Sequence, residues 1–198
     1  MVNSSEFCPS MKLKALKAIE HIKSFLVLAM IALALTVIPL SPPVSAQPLN
    51  SWSSTTSYPT GIAEQSCVTN SGFIYCVGGT TTSSPFITSA VFFATISSSG
   101  VGTWNPTTSY PFPIAEQSCI ARASFVYCVG GQANPSGFSP GPTIDVFFAP
   151  ISSSGVGTWT TTTSYPFPIA EQSCVTRAAL TYCVGGNPPF STSAVFVG

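Results

Sequence analysis

The sequence predicts an all-β protein made of three successive repeats, and three observations support this prediction. Two blocks, Ile-Ala-Glu-Gln-Ser-Cys and Tyr-Cys-Val-Gly-Gly, each occur three times, and a tryptophan precedes each pair of blocks. A repeat length of about 50 residues is typical of architectures with one supersecondary unit per repeat. Outside the N-terminal segment, no stretch shows helical periodicity. The two blocks lie at 62–67 and 75–79, at 114–119 and 127–131, and at 169–174 and 182–186.

Residues 1–46 have the composition of an export signal. Four lysines precede an uncharged apolar run over residues 25–40, and a Val-Ser-Ala sequence follows, ending at Ala46. This order of basic, apolar and small residues predicts a signal helix that is cleaved after Ala46. The alternative is an uncleaved anchor that uses residues 25–40, although a bilayer span usually needs roughly 20 apolar residues. In both cases residues 47–198 face the outside, as a secreted or surface-displayed domain.

The composition excludes several classes of partner. The chain is 45% hydrophobic and only 6% charged, and such a hydrophobic content argues against a disordered protein. Residues 47–198 contain neither lysine nor histidine, so they lack the basic patch that binds phosphates, and no nucleic-acid partner is expected. Without histidines or closely spaced cysteine pairs, no metal site and no cofactor are expected either.

Each repeat is predicted to form four strands. Runs rich in β-branched and aromatic residues alternate with clusters of Gly, Pro and Ser, as in a sheet with short connections. The third run is almost entirely apolar, as in a strand that is covered on both faces, and Gly-Gly ends it. The repeats span about residues 52–103, 104–158 and 159–198. In the middle repeat the predicted strands lie at 104–110, 116–121, 125–130 and 144–151.

Six of the seven cysteines form three pairs with the same spacing, and they predict three disulfides. In the first repeat, Ser71-Gly72 lies midway between two strand-like runs. If these two residues form the hairpin loop, Cys67 faces Cys76 in a non-hydrogen-bonded pair, close enough for a bridge. The turns of the other two repeats read Ala-Ser and Ala-Ala, which leaves their loop type open. The predicted bridges are Cys67–Cys76, Cys119–Cys128 and Cys174–Cys183.

The repeat resembles the kelch motif in three features that recur together: Phe-Ile-Tyr-Cys-Val-Gly-Gly, a downstream apolar strand, and Gly-Thr-Trp. The likeness covers residues 48–198. It implies four-stranded β-propeller blades, with the strands that start at Glu64, Glu116 and Glu171 innermost and the tryptophan strands outermost. The strand of Trp52 would then complete the blade that begins near Glu171. Propellers have about four to eight blades, so three blades leave open a partial propeller, an open arc, or half of a six-bladed homodimer.

Three repeated glutamates are the first candidate binding residues, since the resemblance places them near the central channel. Converging carboxylates could bind a cation or sugar hydroxyls, or act as acid and base. The alternative is that each Glu-Gln pair bonds to a neighbouring loop and holds the blades at a fixed spacing. The candidates are Glu64, Glu116 and Glu171.

The hairpin turns and the loops after Gly-Gly supply the remaining candidates. Arg122 and Arg177 occupy equivalent turns and could bind a carboxylate together, although turn arginines are more often only solvated. The loops after Gly-Gly differ most between repeats, and loops on a rigid scaffold often carry binding residues. Each of these loops contains one phenylalanine, which could contact a ligand or cover its own blade: Phe86, Phe138 and Phe190.

These observations predict an exported, disulfide-linked repeat module that binds a protein or a carbohydrate, and not an enzyme. Near-identical repeats leave little room for a catalytic site that breaks their symmetry. One alternative is a purely structural surface protein, which low charge and Ser/Thr richness favour. Another is a sugar-acting enzyme, because some kelch-like propellers are sialic acid mutarotases. Copper oxidases of that fold are excluded, since residues 47–198 have no histidine to ligate copper.

Overall fold

The structure, a computed structural model, describes residues 51–134, 139–187 and 192–198, together with Lys23. The predicted signal helix, its cleavage site and the apolar run over 25–40 lie outside this range. Within the range, no helix is both long enough and apolar enough to cross a membrane. Residues Trp52–Gly198 form one compact unit. This unit is all-β, as the repeats predict.

The unit contains many short strands and a few longer ones. In chain order they are β1 (Ile62–Ala63), β2 (Ser66–Asn70), β3 (Phe73–Val77), β4 (Thr80–Thr81), β5 (Val91–Ser97), β6 (Gly100–Val101), β7 (Asn105–Pro106), β8 (Ile114–Ala115), β9 (Ser118–Arg122), β10 (Phe125–Val129), β11 (Gln132–Ala133), β12 (Gly141–Pro142), β13 (Val146–Ser152), β14 (Gly155–Val156), β15 (Thr160–Thr161), β16 (Ser173–Arg177), β17 (Leu180–Val184) and β18 (Val195–Val197).

The longer strands form three antiparallel sheets, which we call blades. Blade 1 has the order β2-β3-β5-β7, blade 2 has β9-β10-β13-β15, and blade 3 has β16-β17-β18. The outermost strands β7 and β15 directly follow Trp104 and Trp159, so the tryptophan segments are outermost, as predicted. Each of them joins the sheet of the preceding repeat. The sheets are therefore offset from the sequence repeats by one strand.

Two details of the predicted strands are wrong. The first strand of each blade was expected to start at the glutamate, but it begins two residues later, because each glutamate adopts a left-handed backbone conformation. Four strands were expected in every blade, but blade 3 has only three within the described residues, whereas the sheets of blades 1 and 2 each contain one additional short strand, β6 and β14. Ser53 and Ser54, the counterparts of β7, pair with no strand there.

All three predicted disulfides are present. Two-residue turns join the first two strands of every blade and place the cysteines directly opposite each other. The Cα–Cα distances are 4.1, 4.0 and 4.1 Å, as expected for non-hydrogen-bonded pairs. Ala123 and Ala178 take the positive φ that Ser71 has in the first turn, with values of 52° and 53°. The bridges are Cys67–Cys76, Cys119–Cys128 and Cys174–Cys183.

Apolar side chains fill the spaces between the blades, because the inner strands are covered on both faces. In β9, Cys119 belongs to a cluster that packs against blade 1, whereas the next residue, Ile120, belongs to a cluster that packs against blade 3. This alternation follows from the two-residue period of a strand. The first cluster includes Val68, Tyr75, Val77, Val126 and Cys128, and the second includes Val129, Tyr165, Ile169, Cys174 and Cys183.

The Gly-Gly pairs let each blade contact the next one closely. Gly79 donates its N–H to the Ile114 carbonyl at 2.8 Å, and Gly131 does the same to Ile169. A Cβ on the first glycine of the second pair, Gly130, would lie 2.7 Å from Ile169 Cγ2 and closer still to the Ile169 carbonyl oxygen. These glycines are therefore required both for their positive φ and for the space they leave.

Candidate functional site

The three candidate glutamates lie in one row across the three blades. Glu116 donates its backbone N–H to the carbonyl of Glu64 at 2.9 Å, and Glu171 donates to the carbonyl of Glu116 at 2.9 Å. All three have positive φ, at 58°, 57° and 61°. Hydrogen-bonded neighbouring chains lie roughly 5 Å apart. The three glutamates therefore lie side by side from blade to blade, each just before the first strand of its blade. We call these residues the glutamate row.

The residues beside the row fix it to the neighbouring blades. Gln117 is buried, and its Nε2 donates to the carbonyl of Val77 in blade 1 at 2.7 Å. Gln172 repeats this contact with Val129 in blade 2 at 2.5 Å. The glutamines of the second and third Glu-Gln pairs thus hold the blades together, as the structural alternative expected. The glutamates themselves stay available, since Glu64 and Glu171 are exposed.

Two more hydrogen bonds link the first strands from blade to blade. Cys119 donates its N–H to Ser66 Oγ at 2.8 Å, and Cys174 donates to Ser118 Oγ at 2.9 Å. The serine of the repeated Gln-Ser-Cys sequence therefore accepts a bond from the next blade. Together with the glutamines, these bonds give the glutamate row a rigid support.

Glu116, the middle member of the row, has an unusual environment. It is partly buried, and its Oε2 is enclosed without a hydrogen-bond partner among the described residues. Burial raises the pKa of its carboxyl, the neighbouring charges of Glu171 and Glu64 raise this pKa further, and the Gln132 side chain opposes the shift. A carboxyl of this kind can accept a hydrogen bond from a ligand or, when protonated, donate one.

The row does not form a ready metal site. Among the described residues, no three His, Cys, Asp or Glu side chains are arranged to hold a metal ion. The carboxylates of the row can also accept hydrogen bonds from hydroxyl or amide groups.

The two candidate arginines lie away from the row. Arg122 is at the far end of β9, roughly 18 Å along the strand from Glu116. Its Nη1 donates to the Ala179 carbonyl in blade 3 at 2.7 Å, and its guanidinium lies over the Tyr127 ring at 5.6 Å. Asn70 makes the equivalent bond to the next blade in the first repeat. Glu116 and Arg122 therefore lie at opposite ends of the segment that contains β9, and the mutarotase-like alternative, which would join them in one site, stays a prediction.

Arg177 and the phenylalanines remain separate from one another. Arg177 is exposed at the turn of blade 3 and makes no hydrogen bond in the part of the chain that the structure describes. Phe86 is 65% exposed in the loop after the first Gly-Gly pair. Phe138 and Phe190 lie outside the described residues. Their role in binding stays a prediction.

The sequence analysis missed two features of the site region. The first is Gln132 in β11, whose side chain lowers the pKa of Glu116. Its position directly after the Gly-Gly pair was the one sequence signal that could have indicated this contact. The second feature is a cavity of roughly 520 Å³ between blades 2 and 3, which the sequence pattern does not predict. Its lining includes Tyr127, Tyr165, Phe196 and Val197.

Comparisons with known proteins support the fold and leave the family open. A solved structure, titled "Structure of YjhT", is similar to this chain with a TM-score of 0.60 and 15% sequence identity. The match covers 74% of this chain and 48% of that chain, so this chain spans about half the length of its structural neighbour. No family model matches the sequence. No curated protein matches it either. The similarity supports a propeller-like arrangement of the blades.

Proposed function

We propose that the protein is an exported binding module whose ligand is a carbohydrate held at the glutamate row. The observation that carries this proposal is the middle carboxyl of the row, Glu116, which is partly buried and has an enclosed oxygen without a partner. A group that has lost water without gaining a protein partner costs free energy. Because this oxygen has almost no accessible surface, a ligand hydroxyl reaches it only when the Glu116 side chain turns outward, and a bond formed there would recover part of this free energy.

The arrangement of the row also favours a ligand with several hydroxyl groups. Backbone hydrogen bonds repeat the glutamates from blade to blade, so neighbouring carboxylates can accept bonds from successive hydroxyls of one molecule. The two outer members, Glu64 and Glu171, are exposed and reachable. The scaffold beneath them is rigid, because the buried glutamines tie it to the adjacent blades.

Export is the second part of the proposal. The three disulfides are typical of proteins that fold in an oxidising environment outside the cytosol. The basic and apolar segments before Ala46 supply the corresponding signal. Mass spectrometry of the protein recovered from outside the producing cells would test this part. A chain that starts at Gln47 and has no free thiol supports it, and a reduced protein retained in the cytosol contradicts it.

Ligand binding is best tested with matched acid variants. A panel of soluble glycans is screened by calorimetry against the wild type, Glu116→Gln and Asp145→Ala. Ala90 and Ala194 occupy the position of Asp145 in the other repeats, so the latter is the control. We expect Glu116→Gln to weaken glycan binding at least about 10-fold, because one charge-assisted hydrogen bond is worth about 1.5–3 kcal/mol, and Asp145→Ala to leave it within about twofold. Equal effects of the two variants contradict the proposal.

A purely structural surface protein is the second candidate, and the inter-blade contacts favour it. Several polar residues of the repeats are used inside the fold, since Arg122 and Asn70 bond to the next blade and Gln117 and Gln172 are buried. This candidate predicts that no glycan of the panel binds and that Glu116→Gln changes nothing except stability. The same calorimetric screen therefore separates the two functions.

A further inference from the structure

One face of blade 3 is apolar and uncovered in the single chain. Five large apolar residues of this blade are about half exposed or more, although the strands that carry them are built like those of blades 1 and 2. The register places them on one face, since Val175 and Val197 both pair with Tyr182, and Val184 pairs with Val195. The exposed residues are Val175, Leu180, Val184, Val195 and Val197.

The equivalent faces of the other two blades are covered. Val77 and Val129, the counterparts of Val184, are 0% and 5% exposed, whereas Val184 is 48% exposed. In each case the next blade provides the cover. Blade 3 thus presents a surface that is shaped to contact another blade of the same kind.

Blade 1 has the matching surface, with its hydrogen-bonding groups unused. Between consecutive blades, three groups of each Glu-Gln-Ser-Cys sequence donate to the preceding blade. They are the backbone N–H of the glutamate, the Nε2 of the glutamine and the backbone N–H of the cysteine. In blade 1 the corresponding donors are Glu64, Gln65 and Cys67, and no described residue accepts these bonds. In blade 3 the corresponding acceptors are the Glu171 carbonyl, the Val184 carbonyl and Ser173 Oγ, and no described residue of a further blade donates to them.

The segment that contains Trp52 is the third unpartnered element. Trp104 and Trp159 each pack edge-on against the tyrosine of the preceding Thr-Thr-Ser-Tyr sequence, Tyr58 and Tyr110, at 4.9 Å. Each also directs its indole N–H to the carbonyl two residues before that tyrosine. Trp52 is 91% exposed and has no such partner.

The partner that Trp52 lacks lies in the cavity between blades 2 and 3. Tyr165 and Thr163 are the counterparts of the residues that hold the other two tryptophans, and both line that cavity. Beside them, Phe196 and Val197 of β18 correspond to the residues of β5 that pair with the outer strand β7. Within the described residues, blade 3 therefore has neither a fourth strand nor a tryptophan, and residues 52–54 supply one unused copy of each.

We propose that a second copy of this chain docks on blade 3, head to tail, and that the two copies close into a ring of six blades. Residues 52–54 of each copy form the fourth strand of blade 3 in the other copy, with Trp52 in the cavity against Tyr165. Two identical contacts result, and the two glutamate rows become continuous. Six blades lie within the usual range for propellers. The match covers 48% of the structural neighbour, so the rest of that chain is about as long as a second arc of this size.

The first experiment compares variants of the full chain by light scattering after size exclusion, with one-chain masses from mass spectrometry. We expect the wild type to have twice the mass of one chain and Trp52→Ala to be monomeric. Trp52→Ala should raise the dissociation constant at least about 100-fold, because it removes the docking strand's aromatic anchor, and such anchors contribute a large share of interface affinity. Phe86→Ala is the control, since Phe86 is also an exposed aromatic residue but lies outside the docking segment.

Gly185→Ala provides an independent test of the same geometry. Among the described residues of one chain, a Cβ at Gly185 has only the Thr192 carbonyl oxygen nearby, at 3.8 Å. In the ring it would meet Ile62 of the second copy, as Gly130 meets Ile169. We therefore expect Gly185→Ala to dissociate the dimer at least about 100-fold more readily while all three disulfides still form.

Three outcomes overturn the proposal. A wild type that stays monomeric at concentrations of tens of micromolar shows that blade 3 is not covered by a second copy. A Trp52→Ala variant that remains dimeric shows that the copies meet through another surface. Assemblies larger than two copies show that the head-to-tail contact does not close after two arcs, as happens with open heterologous contacts. All variants have the same N-terminal sequence as the wild type, so a difference between them cannot arise from that segment.

Discussion

An alanine at Gly130 should destabilise the fold far more than an alanine at Gly185, although the two glycines are equivalent in sequence. Both lie in the left-handed region, with φ of 58° and 67°, so the backbone cost of a Cβ is the same, about 1–2 kcal/mol. They differ in their surroundings. A Cβ on Gly130 would lie 2.7 Å from Ile169 Cγ2 and 3.0 Å from Gln172 Nε2, whereas the nearest atom to a Cβ on Gly185 is 3.8 Å away.

The difference can be worked from these contacts. Forcing a methyl group into a packed interface costs about 1–3 kcal/mol. Displacing Gln172 would also break its bond to the Val129 carbonyl and leave buried groups unpaired, at a cost of about 1–3 kcal/mol. We expect Gly130→Ala to lower the free energy of unfolding by roughly 3–8 kcal/mol, and Gly185→Ala by about 1–2 kcal/mol.

Urea unfolding, followed by circular dichroism, measures both values. The comparison is best made in the Trp52→Ala background, where association does not add to stability. Equal losses for the two variants would refute the reasoning, because they would show that backbone conformation alone decides the cost and that the blades are not in close contact at Gly130.

Three further predictions concern single positions. Ala178→Gly should raise the free energy of unfolding by about 1 kcal/mol in the same urea assay, because Ala178 has a φ of 53° that glycine adopts without strain; an unchanged or lower value contradicts this. Replacing Cys119 and Cys128 together by alanine should lower the free energy of unfolding by up to about 2.7 kcal/mol, since the bridge closes a loop of about ten residues. Reduction of the wild type opens all three bridges, so a loss on reduction that is smaller than the loss in the double variant would contradict this prediction. For Glu116 the folded state has the higher pKa, so the folded protein binds the extra proton. The stabilisation that this proton provides is complete below the unfolded-state pKa of about 4.3 and is lost as pH rises through the folded-state pKa. Glu116→Gln should remove this part of the pH dependence in a series of unfolding experiments, and an identical pH profile for variant and wild type contradicts the assignment.

Local relationships account for what the sequence predicted correctly. The hairpins, their turns and the disulfides depend on residues within about ten positions of one another, so spacing alone places Cys67 opposite Cys76. The all-β class follows from the same short-range patterns, repeated three times. The position of the glutamates at equivalent points of the repeats was also visible in the sequence, because each repeat folds in the same way.

Contacts between blades decided the rest, and they join residues that are 40 to 57 positions apart. Whether Gln117 binds a ligand or the Val77 carbonyl depends on which strand lies beside it, and no local pattern states this. For the same reason, the sequence could not show that Arg122 donates a hydrogen bond to the Ala179 carbonyl of the next blade. The exposure of Val184, whose counterparts are buried, also depends only on which blade lies next to it. Local spacing thus determined each blade, whereas the packing of one blade on the next determined which of its polar groups are used and which surfaces remain free.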